Sequence, residues 1–480
     1  MTRERAGLPL AAVVFAAVCF ASFPGLDPPA HHLAAVIAAV VVLWVSEALP
    51  LPVTALLGVA GAVALGVAPA REAFAPFADP LMFLFIGAFI LARAIFLHGL
   101  NRRVAYAVLS LPWVGASAGR ILFAFGAVTA AISGWISNTA TTAMMFGIGI
   151  SILAAMGDDV RRSPYGAALM LMTSFSASIG GLATPIGTPP NVIGLGFIRS
   201  TIGEEVSFFR WMLLGVPTVI ALYIVLYAWL RFVTRGTVGD LAATRALITS
   251  ERAGLGGWTR GQRSVAVAFG VTVFLWVLPG IVALAAGESS TAFRTLNERL
   301  PEGVAAIAGA LLLFLLPGEG NQRAITWDEA VKIDWGVVLL YGGGFALGVL
   351  SFKTGLAEAA GRGLTGLLPI SGELGLLVAS VIVAIVLSEA TSNTAAANMV
   401  VPVVISIAQA SGMDPFEPAL GATMAASLGF MLPVSTPCNA IVYGSGLIPL
   451  KKMIRYGAVL DLAGGILIVV LVRLLGSLVR

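Results

Sequence analysis

The chain has 480 residues, of which 58% are hydrophobic and 11% charged, with 28 Lys and Arg against 24 Asp and Glu. Ordinary soluble domains carry about 25% charged residues, and a soluble fold of this size could not cover its surface with so few. Apolar runs of about 16–25 residues recur along the whole length, the pattern of membrane-spanning helices; they are continuous, which excludes the alternating pattern of a membrane β-barrel.

An all-α polytopic membrane protein is therefore expected, with the lipid bilayer as a partner and no nucleic-acid partner. Cys19 and Cys438 both fall in apolar surroundings and give neither a disulfide framework nor a metal pattern. His31, His32 and His98 stand near predicted span ends without acidic or cysteine partners at ligand spacing, so they read as interfacial residues.

Residues 1–32 form an N-terminal span and loop. Arg3 and Arg5 precede an apolar run from Leu8 to about Phe23. The run resembles a signal peptide, but Pro24-Gly25 follows without a small-x-small cleavage site, which favours a retained span. A first repeat covers 33–233. Its opening span ends at Glu47-Ala48-Leu49-Pro50, a short one follows from Leu51 to about Val67, and another runs from Leu81 to about Leu97. Arg93 lies inside that last span and reads as snorkelling or pairing.

Ile121 to Met156 contains no charged residue and holds Ser133-Gly134-Trp135-Ile136-Ser137-Asn138-Thr139. Two readings fit its length: a pair of full spans with Ser-Asn-Thr at a surface turn, or a tilted re-entrant hairpin whose tip stops inside the membrane. The absence of charge favours the buried tip. The next run, about 165–198, is too long for one plain helix and is broken by Gly180-Gly181, Pro185, Gly187, Pro189 and Pro190. Proline removes a donor and pushes its predecessor out of the α region, so two half-helices with an unwound middle are expected. Such backbone is tolerated at membrane depth only where protein or a wet cavity satisfies it.

A full span from Trp211 to about Phe232 leads to a polar cytoplasmic linker, 234–262, with little apolar periodicity and no room for a soluble domain. The rest, 263–480, repeats the first part. Leu339 to Leu356 aligns without gaps with Phe83 to Leu100, sharing Gly343, Phe345 and Leu347 with Gly87, Phe89 and Leu91. Ser388-Glu389-Ala390-Thr391-Ser392-Asn393-Thr394 returns the polar tripeptide, and Ser435-Thr436-Pro437-Cys438-Asn439 returns Gly187-Thr188-Pro189-Pro190-Asn191. In each copy the turn follows the tripeptide by roughly 40–50 residues. With the amino terminus cytoplasmic, most Lys and Arg lie inside. The two halves are then inverted, and inverted repeats with broken helices point to a secondary transporter.

Ser, Asn and Thr offer donors and acceptors without charge. A helix restarting after such a tripeptide presents free N–H groups and a positive dipole end, which bind anions. Unwound carbonyls can coordinate Na⁺. A single Ser-Asn-Thr would usually serve helix packing; two copies, each followed by a Thr-Pro turn, make packing a poor account of both. Glu389 has Gly134 as its counterpart, so it stands outside the duplicated element, and a structural hydrogen-bonding role is the preferred reading over proton coupling. No Ser/His/Asp set, metal cluster or phosphate loop supports an enzyme.

At these residues the chain resembles the divalent anion/sodium symporter family, of the bacterial sodium-dependent dicarboxylate transporter type. The resemblance runs from about Leu33 to the end. It implies about 11 transmembrane helices plus two re-entrant hairpins (about 119–156 and 372–411), broken helices at about 165–198 and 417–448, and an elevator-type transporter working as a homodimer in the bacterial inner membrane. It further implies that substrate carboxylates meet Asn138, Thr139, Thr188 and Pro189 from the first half and Asn393, Thr394, Thr436 and Pro437 from the second. One Na⁺ would be held by Ser133, Ser137, Asn138 and the Gly187 carbonyl, the other by Ser388, Thr391, Asn393 and the Ser435 carbonyl. The expected activity is Na⁺-coupled uptake of a C4-type dicarboxylate such as succinate, malate or fumarate. Sulfate or citrate transport on the same fold, sodium-independent exchange and an anion channel are the rivals.

Overall fold

The computed structural model describes residues 3–23, 25–236, 239–365 and 372–480. Pro24 and the linker positions 237–238 lie outside them. Among the described residues the regular secondary structure is helical, apart from an isolated bridge between Pro317 and Arg323. The helices used below are α1 (Arg3–Phe20), α2 (Pro28–Ser46), α3 (Leu51–Ala64), α4 (Pro80–Leu97), α5 (Ala118–Ser133), α6 (Asn138–Met156), α7 (Pro164–Gly180), α8 (Pro189–Phe197) and α9 (Phe208–Val233). They continue with α10 (Leu241–Gly254), α11 (Arg260–Ala286), α12 (Glu302–Leu315), α13 (Trp335–Lys353), α14 (Gly372–Ala390), α15 (Asn393–Ala410), α16 (Phe416–Ala425), α17 (Pro437–Tyr443) and α18 (Leu450–Val479).

Ten of the described helices are long and apolar enough to cross a membrane; α1, α3, α5 and α12 are shorter apolar helices. The ten include α6, α14 and α15, which are arms of helix pairs joined by short turns. The sequence expectation of about 11 crossings instead counts short and broken spans and leaves those arms out. α3 and α12 have 14 residues each, about 21 Å of helix, less than a hydrocarbon core of about 30 Å.

The halves grip each other reciprocally. α4 packs on α12, and α13 packs on α3. A Cβ at Gly87 would lie 2.5 Å from the Ala306 carbonyl carbon, and one at its counterpart Gly343 would lie 2.6 Å from the Ala55 Cβ. Glycine at both positions lets two helices approach backbone to backbone, as small residues do in membranes. α4 starts where Asp79 accepts the Leu81 amide at 2.8 Å and Pro80 occupies the first turn. Arg93 pairs with Glu329 at 2.6 Å.

A second body contains α5–α9 and α14–α18. α5 and α6 form one helix pair, packed on α7; α14 and α15 form the other, packed on α16. A Cβ at Gly180 would stand 2.2 Å from the Ala130 carbonyl oxygen. Backbone cannot yield there, so Gly180→Val is expected to destabilise the protein by about 3 kcal/mol, read as a lowered melting temperature in detergent. Between α7 and α8 the chain makes a 3₁₀ turn at Gly181–Ala183 and then a second turn, in which the Gly187 amide donates to Thr184 O at 3.3 Å, before the extended Thr188 opens α8. Its polar groups find partners: Trp211 Nε1 donates to Leu182 O at 3.0 Å, and Thr184 Oγ1 to Gly134 O at 2.5 Å.

The linker differs from expectation. Instead of lacking periodic structure it carries α10, capped by Asp240, which accepts the Ala243 amide at 2.8 Å. Thr244 and Ile248, four apart on one face, are buried, and α10 packs on α6. Its interleaved arginines hid a short amphipathic stripe.

Candidate functional site

The two helix pairs and the two breaks meet at one cavity of about 690 Å³, within the usual range for small-molecule sites of about 300–1,000 Å³. Asn138, Thr139, Thr188 and Pro189 line it from one half, and Asn393, Thr394, Thr436 and Pro437 from the other. The structure thus gathers all eight residues expected at the anion. Of the residues expected at sodium, Ser137, Gly187 and Ser435 also line the cavity, while Ser133, Ser388 and Thr391 are buried behind it.

Local sequence explains the placement. α6 begins at Asn138, and Ser137 is its N-cap residue, yet the Ser137 side chain makes no capping bond. That hydroxyl and the first amides of α6 remain free toward the cavity. α15 begins at Asn393, where the Ser392 hydroxyl accepts the Ala395 amide at 3.2 Å. Two positive helix ends therefore face the same space. Thr188 caps α8 without a side-chain bond, whereas the Thr436 hydroxyl accepts the Asn439 amide at 3.1 Å.

Beside each tip the oxygens cluster in matching ways. One end of the Asn138 amide faces three oxygens: Ser133 Oγ at 2.7 Å, Ala177 O at 3.1 Å and Gly187 O at 3.2 Å. Two chemistries satisfy such a cluster. The amide N–H can donate into it, or the amide oxygen can share a cation with it. In the second half Ser388 Oγ lies 2.8 Å from Asn393 Oδ1 and donates to Ala426 O at 2.8 Å. A Cβ at Gly429 would lie 3.2 Å from Ser388 Oγ, 3.4 Å from Asn393 Oδ1 and 3.3 Å from the Ser435 Cβ, so these three groups converge. Thr391 Oγ1 donates back to Leu387 O at 2.7 Å, leaving only its lone pairs to offer.

The trailing asparagines hold the breaks in shape. Asn191 Nδ2 donates to Gly181 O at 2.9 Å and Thr184 O at 2.8 Å. Asn439 Nδ2 donates to Gly429 O at 2.9 Å and Leu432 O at 3.0 Å, the same ten- and seven-residue reach. Each staple replaces donors that an unwound segment lacks. Asn439 Oδ1 also accepts the Ser174 hydroxyl at 2.6 Å, tying the second break to α7.

Several groups at the site were not anticipated. The opposite wall carries Arg93, Lys332 and Asp334. Lys332 reaches Glu329 at 2.5 Å and Arg93 reaches it at 2.6 Å; Lys332 and then Arg93 hold that carboxyl below the usual carboxylate range. Cys438 also lines the cavity and faces Thr139 and Ser178 across the halves. Lys332 and Glu329 are only three residues apart, but no local pattern marks them as neighbours of Arg93 or of Cys438. Among the described residues no group of His, Cys, Asp and Glu is arranged to hold a metal ion. The three histidines bond backbone carbonyls: His31 Nε2 lies 2.6 Å from Val18 O, His32 Nδ1 3.0 Å from Leu65 O and His98 Nε2 2.7 Å from Ala324 O.

Fold and site together define a membrane transport protein, with a cavity shared by two repeated halves whose tips and breaks carry polar but uncharged side chains. The profile of the sodium:sulfate symporter transmembrane region matches residues 3–479, and the chain belongs to that family. The sodium-dependent dicarboxylate transporter SdcS of Staphylococcus saprophyticus is 34% identical over 443 residues, covering 90% of this chain and 83% of that one. Its counterpart in Staphylococcus aureus is 33% identical over 440 residues, covering 89% and 82%. In fold, the chain is similar to the YdaH transporter of Alcanivorax borkumensis, with a TM-score of 0.55 at 15% identity over 99% of this chain and 96% of that one. It is likewise similar to MtrF of Neisseria gonorrhoeae, with a TM-score of 0.55 at 11% identity over 97% and 94%.

Proposed function

We propose that the protein couples inward Na⁺ movement to uptake of C4-type dicarboxylates such as succinate, malate and fumarate. One carboxylate meets Asn138, Thr139, Thr188 and Pro189, and the other meets Asn393, Thr394, Thr436 and Pro437. Ser133, Ser137, Asn138 and the Gly187 carbonyl hold one sodium; Ser388, Thr391, Asn393 and the Ser435 carbonyl hold the other. The observation that carries this reading is the paired oxygen clusters flanking one cavity whose tips bear no formal positive charge. Arg93 and Lys332 on the cavity wall are already paired with Glu329, so a dianion at the tips is offset by helix ends and co-bound cations; without those cations its desolvation is uncompensated, which makes coupling obligatory. The relatives' description as sodium-dependent dicarboxylate transporters supports the same choice of ion and anion.

The reading extends to a homodimer in the bacterial inner membrane with a cytoplasmic amino terminus. In it, the body of helix pairs and broken helices moves as an elevator against α2–α4 and α11–α13. Labelled succinate in proteoliposomes tests the core of it. Uptake is expected with an inward sodium gradient, to be lost when potassium replaces sodium, and to be blocked by cold malate. Competition by sulfate or citrate instead would reassign the anion. Uptake that needs internal dicarboxylate and not sodium would mean exchange and remove both cation sites.

A further inference from the structure

Among the described residues three charged side chains line the cavity: Arg93, Lys332 and Asp334. Asp334 is engaged at the start of α13, where its carboxylate accepts the Val337 amide at 3.3 Å. The two cations share a carboxylate that is not itself in the lining. Arg93 Nε and Nη2 donate to Glu329 Oε2 at 3.1 and 2.6 Å, and Lys332 Nζ donates to Glu329 Oε1 at 2.5 Å. Both Glu329 oxygens are therefore occupied, and the four charges cancel.

The simplest role for this cluster is a brace. Glu329 lies in the short helix Trp327–Ala330 just before α13, and Arg93 lies in α4, so the pair ties two elements of one body. A brace of the same kind occurs in the other half. Lys353, in α13, pairs at 2.8 Å with Glu72, in the short helix Ala70–Ala73 that comes before α4. The two braces differ in depth. Lys353 aligns with Leu97 and Arg93 with Val349, so Arg93 stands one turn, about 6 Å, farther into its helix. Lys353 and Glu72 lie outside the cavity lining, whereas Arg93 is in it and Lys332 joins it there. Bracing alone accounts for neither the depth nor the second cation.

A guanidinium and an ammonium converging on one point are what a carboxylate anion binds best. Released from Glu329, they would supply the positive charge that a dianion in this cavity otherwise takes from sodium. The tethered Glu329 carboxylate is always at hand to compete for them. We propose that Glu329 is a built-in surrogate anion: by occupying Arg93 and Lys332 it denies a dicarboxylate the cationic groups of the cavity wall and so keeps anion binding dependent on sodium. This rests on the reading of the cavity as the anion site. It is selectivity by exclusion, in which binding of the anion alone is made unfavourable.

Melting of the purified protein with succinate, in sodium buffer and in sodium-free choline buffer, tests this without a transport assay. The wild type is expected to be stabilised by succinate only with sodium. Glu329→Gln frees both cations and is expected to be stabilised by succinate in choline, with an affinity at least about tenfold above any response of the wild type there, the worth of one hydrogen bond to a charged group. Arg93→Gln/Glu329→Gln leaves Lys332 free without stranding an arginine in α4. It serves where the single variant does not fold, and is expected to show the same gain in weaker form. Adding Lys332→Gln to that pair is expected to restore the sodium requirement. A mere brace would give lower melting temperatures and no gain of binding. Strict sodium dependence in the wild type and in both Glu329 variants would overturn the proposal alone, as would a gain that survives loss of both cations. A wild type stabilised equally in choline and in sodium would overturn it together with the coupling on which it rests.

Discussion

Alanine at Asn393 is expected to abolish sodium-driven succinate uptake, and alanine at Asn138 to do the same. Each asparagine opens a helix, lines the cavity and closes an oxygen cluster at once. In the proposed site, losing its amide removes a contact to the anion and a ligand to the cation together. Each is worth roughly 1.5 kcal/mol when the partner is charged, so the combined effect is about 100-fold on uptake. The initial rate measured against sodium concentration separates the two losses. A raised sodium half-saturation at both positions, with a monodisperse protein, is the expected outcome. A normal sodium dependence with only weaker succinate affinity would remove the asparagines from the cation sites.

Alanine at Asn439 is expected to cost stability more than any other single change near the cavity. Its side chain is fully buried and joins three partners: the Gly429 and Leu432 carbonyls and the Ser174 hydroxyl. Each group left unpaired in a dry interior costs about 1–3 kcal/mol, so a loss of about 3–5 kcal/mol is expected. Asn191→Ala orphans two carbonyls and is expected to cost less. Melting of the two variants in detergent gives the order. If Asn191→Ala proved the more damaging, the bond to Ser174 would not contribute as its geometry indicates.

The spans were legible because apolar run length is a one-dimensional signal, and α4 and α13 align without gaps and share Gly87 with Gly343, Phe89 with Phe345 and Leu91 with Leu347. The tips and turns were legible for a related reason. A doubled Ser-Asn-Thr and a doubled Thr-Pro-x-Asn leave the same mark twice in the sequence, and the fold then draws both copies to one cavity. The trailing Asn191 and Asn439 were visible as marks, but their task was not, since the carbonyls they satisfy lie seven and ten residues back across an unwound segment. Arg93 and Lys332 illustrate the limit. They meet at Glu329 from sequence positions far apart, in elements whose own patterns say only that they span or connect. α10 was missed because Thr244 and Ile248 make a stripe too short to stand out among arginines.

The reciprocal grip of α4 on α12 and of α13 on α3 also bears on how the chain is made. The surface around Gly87 has no partner until Ala306 has been synthesised. At about 5–20 residues per second, that leaves α4 in the bilayer for roughly 10–40 s with its close-packing face against lipid. The nascent first half is therefore an open clasp, and it must be held by the insertion machinery or shielded by lipid until the second half arrives. A gene cut within the linker should yield two fragments that accumulate only when both are expressed in the same cell.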